Sequence, residues 1–148
     1  LGVYKEIVKQ DVREIAFEEK SFDVVHASQL VEHLKHEETL ALIAKMEKIA
    51  RRVVVVGTPN GHYDQDEYDG NVLQRHQSEW TYQDFRKLGY TVYGQGLKYI
   101  YGEHGLLFSP LGKIPGIRQV LYIISYSAAP VVFFFPQLAA QIIAVKRV

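Results

Sequence analysis

The stretch Ser21-Phe22-Asp23-Val24-Val25-His26-Ala27-Ser28-Gln29-Leu30-Val31-Glu32-His33-Leu34 carries the strongest structural signal in the chain. Residues 22–25 are mostly apolar and β-branched, which predicts a buried strand. The small side chains of Ala27 and Ser28 at its end would let another molecule approach the backbone. Glu32 and His33 then follow. Because ligands of open α/β sheets bind beyond the carboxyl ends of the strands, we expect a functional site here.

Length and composition exclude several classes of protein. The 148 residues suit one domain, 1–148, and 17 basic against 17 acidic residues give no net charge that would indicate nucleic-acid binding. The absence of cysteine excludes a disulfide framework and a thiolate zinc site, and it is typical of a cytoplasmic protein. The chain starts at Leu1 without an initiator Met or a signal sequence, so we expect a fragment.

The elements after this stretch alternate between helix and strand. The apolar spacing and the capping residues predict a helix at 37–50, a strand buried on both faces at 53–56, a helix from Thr81 to Gly89 and a strand at 90–93. Residues 61–79 form a long polar connection. Because it leaves the same edge of the sheet, we interpret it as a functional loop rather than a solvated lid.

Residues 120–145 contain no charged side chain. The length would allow a membrane span, but Pro130 and Pro136 make a single spanning helix poor. We predict a helix at about 116–129, a turn at Pro130 and a last strand at 141–145. If the apolar side chains of 120–135 are exposed, we expect peripheral contact with a membrane or lipid; if they are covered, they are core.

The pattern S-F-D-V-V, a small-residue turn and E-H-L resembles the fourth strand of class I methyltransferases that use S-adenosylmethionine (AdoMet). The similarity continues through Val53-Val54-Val55-Val56-Gly57-Thr58-Pro59-Asn60 and Ser78-Glu79-Trp80-Thr81, and it reaches Gln141-Ile142-Ile143-Ala144-Val145-Lys146-Arg147. It covers the chain as the C-terminal portion of a methyltransferase of type 11 or 23. The resemblance implies an α/β, Rossmann-like fold with a mostly parallel sheet, an antiparallel last strand and missing N-terminal βα units.

The same resemblance implies AdoMet as cofactor and assigns residues to it. Asp11 would accept a hydrogen bond from the adenine amino group, and the backbone N–H of Val12 would meet the ring. Ala27, Ser28 and Gln29 would border the methionine part. The methyl acceptor stays unidentified and could be a small molecule, a lipid, a glycan or RNA.

Glu32 and His33 are the catalytic candidates. Methyl transfer mainly requires alignment of the acceptor with the methyl group, and a base is needed only where the acceptor loses a proton. Histidine titrates near neutral pH, so His33 is a candidate base or acceptor-positioning residue. The alternative is that His33 caps the loop or packs on the cofactor.

A metal-assisted hydroxyl O-methyltransferase is a further alternative. Gln29-x-x-Glu32-His33, with His76 ahead of Glu79-Trp80, resembles the metal-binding pattern of small-RNA 2′-O-methyltransferases. Gln29 replaces the first Glu of that pattern, and an amide is a poorer ligand for a hard cation than a carboxylate. We therefore predict no metal, and keep Glu32, His33 and His76 as the alternative ligand set.

Two cofactor-binding elements of the family do not occur in the sequence, namely the Gly-rich loop after the first strand and the acid after the second. A strand at 4–11 would then have no neighbour, and the strand at 22–25 would leave an open sheet edge. We expect this chain alone to bind AdoMet weakly or not at all, and to self-associate through that edge. The alternative from another class is a non-catalytic, methyltransferase-like module that binds a partner there.

Overall fold

The computed structural model describes residues 5–67 and 69–148, which form a mixed sheet with helices around it. The strands are β1 (Phe22–Ser28), β2 (Ala50–Pro59), β3 (Thr91–Leu97) and β4 (Ala139–Arg147). The helices are α1 (His36–Ile49), α2 (Tyr82–Lys87), α3 (Lys98–Tyr101), α4 (Ile117–Ser127) and α5 (Ala129–Phe134). Short 3₁₀ turns lie at Val12–Glu14, Val31–His33, Val72–Gln74, Pro110–Lys113 and Pro136–Leu138.

The sheet has the order β1-β2-β4-β3. β1 and β2 are parallel, and β4 lies between β2 and β3, antiparallel to both. Three strands therefore run in one direction and the last strand opposes them, which confirms the predicted α/β architecture. β2 is paired on both sides, and this is why its valine run could be recognised in the sequence as a buried central strand.

Helix α1 packs on the sheet through the predicted apolar stripe. Leu42, Ile43 and Met46 are buried in the same cluster as Val54 and Val56 of β2. Burying such side chains contributes about 1.5–3 kcal/mol each, so this contact holds β1 and β2 under the helix.

The start of α2 also matches its sequence signal. The Thr81 hydroxyl and the Asp84 carboxylate form the capping box, and Gly89 follows the helix with a φ of 85°. Trp80 and Phe85 pack against each other with ring centroids 5.5 Å apart. The cap thus fixes where the helix enters the core.

The segment around Pro130 differs from the prediction. α4 ends at Ser127 and α5 begins at Ala129, so Pro130 lies in the first turn of a new helix rather than in a turn. The first helical residues donate no intrahelical bond, so proline is tolerated there. α5 packs closely on β3 at Gly94. A side chain there would not fit, because its Cβ would collide with the Val132 carbonyl oxygen.

The predicted strand at 4–11 is wrong over the part that the structure describes, since residues 5–11 form no strand; Tyr4 lies outside the described residues. Backbone groups of a strand need a partner, and within 5–67 and 69–148 β1 pairs with β2 alone, so its other edge is open to these residues. Within 5–67 and 69–148, no helix is long and apolar enough to cross a membrane.

Candidate active-site cavity

A cavity of about 800 Å³ lies at the carboxyl ends of β1 and β2. Its walls come from the turn after β1, the loop 61–79, the end of β3, the start of β4 and the α4–α5 region. They comprise Gln29, Glu32, His33, Pro59, Tyr63, Gln65, Gln74, His76, Gln95, Gly96, Tyr101, Phe108, Ser125, Tyr126, Ala129, Ala140 and Gln141. The volume is within the range of small-molecule sites.

The turn after β1 brings three of the predicted residues to the cavity. Gln29 has a left-handed φ of 49°, and its N–H donates to the Gly57 carbonyl over 2.8 Å. The chain therefore bends sharply at the strand end and continues into the 3₁₀ turn Val31–His33. Glu32 and His33 line the cavity together with Gln29, as their spacing predicts.

Glu32 is the buried acid of the site, with only 3 % of its surface exposed. Its Oε2 accepts a hydrogen bond from the Thr58 hydroxyl over 3.0 Å. Its Oε1 is buried and has no hydrogen-bond partner among the described residues. A buried polar atom without a partner carries a large desolvation cost, so Oε1 is available to a bound group.

The two histidines beside Glu32 are oriented in the same way. His33 Nδ1 lies 3.3 Å from the Arg75 carbonyl oxygen, and His76 Nδ1 lies 2.6 Å from that of Tyr63. A carbonyl oxygen only accepts, so each Nδ1 is the donor, and in the neutral imidazole each Nε2 then keeps a lone pair. Ligand atoms of Glu32, His33 and His76 lie within 4.8 Å of one another. The geometry allows all three to bind one cation.

The loop 61–79 is fixed to the turn after β1 at its C-terminal end. The backbone N–H groups of Gln77 and Ser78 both donate to the Glu32 carbonyl oxygen, over 2.8 and 3.2 Å. The Gln77 side chain donates to the His33 carbonyl oxygen over 2.6 Å. These contacts hold His76 over the cavity. The loop 61–79 contributes several residues to the cavity wall, which is consistent with its interpretation as a functional loop.

Four predicted cofactor residues lie outside the cavity. Asp11 caps the Val12–Glu14 turn and forms an ion pair with Arg13 at 2.6 Å, and this hydrogen-bonded arginine lowers the pKa of Asp11 to about 2. Val12 packs against the main core. Ala27 is buried at the end of β1 and Ser28 is exposed on the open strand. Their role in cofactor binding stays a prediction.

Several cavity residues were not found by sequence reasoning. Gln95 and Gln141 are direct cross-strand neighbours in β3 and β4. A polar residue within the apolar run Ala139-Ala140-Gln141-Ile142-Ile143 was the available signal. Tyr126 and Phe108 were likewise missed, because their position depends on how α4 folds back over the strand ends.

Comparisons with known proteins agree with this architecture. Residues 2–62 match the family model described as a methyltransferase domain. A search of the curated proteins finds no match.

Among solved structures, a SAM-dependent methyltransferase from Archaeoglobus fulgidus is similar, with 15 % identity over 95 % of this chain and 66 % of that chain, and a TM-score of 0.54. The small RNA methyltransferase HEN1 shares 13 % identity over 94 % of this chain, with a TM-score of 0.49. The chain therefore spans just under two thirds of the first protein and 15 % of the second. The fold is thus similar to that of a SAM-dependent methyltransferase, and residues 2–62 match the model of a methyltransferase domain.

Proposed function

We propose that the protein transfers a methyl group from AdoMet to an acceptor bound in the cavity. The single observation that carries the proposal is the position of this cavity, beyond the carboxyl ends of β1 and β2 in a methyltransferase fold. AdoMet, the cofactor that the similarity to methyltransferases implies, supplies an activated methyl group when bound. The residues of this chain then orient the acceptor and exclude water from it.

The residues at the end of β1 are the proposed partners of the methionine portion of AdoMet. Ala27 and Ser28 are small, and a left-handed Gln29 opens the turn beside them. Asp11, the proposed adenine partner, already has its carboxylate bound by Arg13. The Gly-rich loop and the ribose-binding acid do not occur in the sequence. We therefore keep the expectation that these 148 residues bind AdoMet weakly or not at all by themselves.

His33 is the proposed base or acceptor-positioning residue. Its Nδ1 faces the Arg75 carbonyl oxygen, so its Nε2 is free to accept a hydrogen bond or a proton from an acceptor hydroxyl. Glu32, held by Thr58, lies next to it with one free carboxylate oxygen. This pair would align a hydroxyl or amine by two hydrogen bonds.

The proposed acceptor is a neutral, hydroxyl- or amide-bearing group. Five glutamines line the cavity, and each amide offers both donors and acceptors: Gln29, Gln65, Gln74, Gln95 and Gln141. Among the described residues of its wall there is no lysine or arginine. A phosphate-rich acceptor such as RNA would lack the cationic partners that it usually requires.

The test is isothermal titration with AdoMet of this chain and of a version extended by whatever coding sequence precedes Leu1. Ser28→Tyr should weaken AdoMet binding about tenfold or more, because the added ring would occupy the space beside the end of β1 where the methionine part is proposed to bind. Ser21→Tyr is the matched control, since Ser21 is also exposed but immediately precedes the other end of β1. Equal effects of both variants, or no AdoMet binding by either chain, would favour the non-catalytic binding module.

A second candidate function is metal-assisted O-methylation. It is favoured by the unpartnered Oε1 of Glu32 together with two histidines whose Nδ1 atoms face backbone carbonyls. Histidine ligands of metals are commonly oriented by such a bond from the second ring nitrogen. Two imidazoles and one carboxylate suit Mn²⁺, Fe²⁺ or Zn²⁺ better than Mg²⁺. A cation there would bind acceptor oxygens and make a hydroxyl easier to deprotonate.

A further inference from the structure

Helices α4 and α5 expose a large group of apolar side chains, which we call the α4–α5 surface. It consists of Val120, Ile123, Tyr126, Val131 and Phe134, and all five are more than half exposed. Tyr126 and Phe134 reach 83 % and 70 %. Single exposed apolar residues are common, but five of them on two consecutive helices indicate an interaction site.

The distribution on α4 shows that the exposure follows the helical period. Leu121 and Ser125, one turn apart, are buried towards the protein. Ile123, two positions from each of them, points to the opposite side and is 64 % exposed, and Tyr126, three positions further on, is also exposed. A helix that buries one face and leaves an apolar opposite face requires a second apolar environment. Helices that lie in a membrane interface have such a face.

The charge around this surface favours an anionic lipid membrane as that environment. From residue 104 to residue 148 the sequence has no acidic side chain, whereas Lys113 and Arg118 lie just ahead of and within α4. Arg118 also donates to the Tyr122 hydroxyl over 3.0 Å. Tyrosine side chains combine an apolar ring with a polar hydroxyl and are enriched at membrane–water interfaces. Basic residues near such a face add attraction to anionic lipid.

We propose that the α4–α5 surface docks on an anionic lipid membrane, with α4 and α5 lying in the interface. Lys113 and Arg118 would contact lipid phosphates while Ile123, Tyr126 and Phe134 enter the apolar boundary. Such binding needs no spanning helix.

The cavity adjoins this surface, because Phe108, Tyr126 and Ala129 line it and are themselves exposed. Docking would therefore place its opening next to the membrane. The consequence, which rests on the proposed function, is that the methyl acceptor is a membrane-borne amphiphile. Its neutral polar head would enter among the glutamines while its tail stays in the lipid.

The experiment is vesicle flotation of this chain with phosphatidylcholine vesicles and with vesicles of phosphatidylcholine and phosphatidylglycerol in equal parts. We expect flotation with the anionic vesicles and much less with the neutral ones. The double variant Ile123→Ser/Phe134→Ser should lower partitioning about tenfold or more per side chain, from the apolar area withheld from lipid. Lys113→Gln and Arg118→Gln should each lower anionic partitioning about fivefold.

The matched control is Val72→Ser/Leu73→Ser, which removes two exposed apolar side chains from the 3₁₀ turn Val72–Gln74, and Leu73 is 68 % exposed. It should float like the unmodified chain. Equal loss in both double variants, or no flotation with anionic vesicles, would overturn the proposal. The proposal would also be overturned if Ile123→Ser/Phe134→Ser still floated but no longer self-associated, because a second copy of the chain would then be what covers the surface. Flotation does not require AdoMet, so it tests docking even if methyl transfer fails.

Discussion

Replacement of Glu32 by glutamine should have opposite effects on stability without and with a metal ion. In the absence of metal, the buried Oε1 of Glu32 has no hydrogen-bond partner within the described residues. An unsatisfied buried group costs about 1–3 kcal/mol. In Glu32→Gln the amide oxygen can keep the Thr58 hydrogen bond, and the new NH₂ group can donate to a neighbouring imidazole. We therefore expect the free energy of unfolding to rise by about 1 kcal/mol when a chelator is present.

With a cation the order should reverse. At a free metal concentration a hundredfold above Kd, binding stabilises the unmodified chain by about 2.7 kcal/mol, or about 5–10 °C in Tm for a domain of this size. If loss of one of three ligands weakens binding about a hundredfold, the same concentration stabilises Glu32→Gln by only about 0.4 kcal/mol. The variant should thus be more stable in chelator and less stable in metal.

The assay is thermal unfolding followed by circular dichroism, in EDTA and in a MnCl₂ or ZnCl₂ series. Glu37→Gln is the matched control, because Glu37 is exposed in the first turn of α1 and undergoes the same chemical change. If Glu32→Gln and Glu37→Gln respond equally to Mn²⁺ and Zn²⁺, the three residues do not form a metal site. If Glu32→Gln is the less stable protein in EDTA, the argument from the unpartnered oxygen is wrong.

Three further predictions concern the rest of the fold. Gly94→Ala should lower the free energy of unfolding by about 1–3 kcal/mol in urea denaturation, because the new Cβ would collide with the Val132 carbonyl oxygen. Gly57→Ala is the control and should cost less, because its Cβ would lie an ordinary 3.4 Å from the Ser28 hydroxyl. Equal costs of the two variants would contradict the close packing of α5 on β3. The second prediction concerns Asp11, whose pKa Arg13 lowers from 3.8 to about 2. Their interaction should contribute its full stabilisation above about pH 3.8, and this contribution should be lost as the pH falls through about 2. Arg13→Gln should raise the pKa of Asp11, followed by carbon-13 titration, only part of the way towards 3.8, because the backbone N–H of residue 13 still donates to Asp11 Oδ1. An unchanged titration would show that the ion pair is not formed. Val24→Lys on the open edge of β1 should abolish any self-association seen by sedimentation velocity, because charge on an edge strand opposes pairing; unchanged association would assign the contact to another surface.

The elements that sequence analysis predicted best are those whose signals are local. The valine run of β2, the apolar stripe of α1 and the capping box of Thr81 and Asp84 each report an environment that a few neighbouring residues determine. The strand expected at 4–11 is absent over residues 5–11 for the opposite reason. Its residues have suitable side chains, but a strand forms only when another strand bonds to it, and in the part of the chain that the structure describes β1 pairs with β2 alone. A periodic pattern is therefore a more reliable guide to which face of an element is buried than to which strands pair with each other.

The residues of the site also differ in whether local sequence or long-range contacts position them. Gln29, Glu32 and His33 could be predicted because one short turn after β1 positions all three. His76 is 43 residues beyond His33, and it reaches the cavity because the backbone of Gln77 and Ser78 bonds to the Glu32 carbonyl oxygen. The wall formed by Gln95 and Gln141 depends on insertion of the last strand between β2 and β3. That insertion is set by pairing over long sequence distances, so the wall with Gln95 and Gln141 could be identified only in the folded chain. The wall with Glu32 and His33 could be predicted from the sequence, because one turn holds both residues.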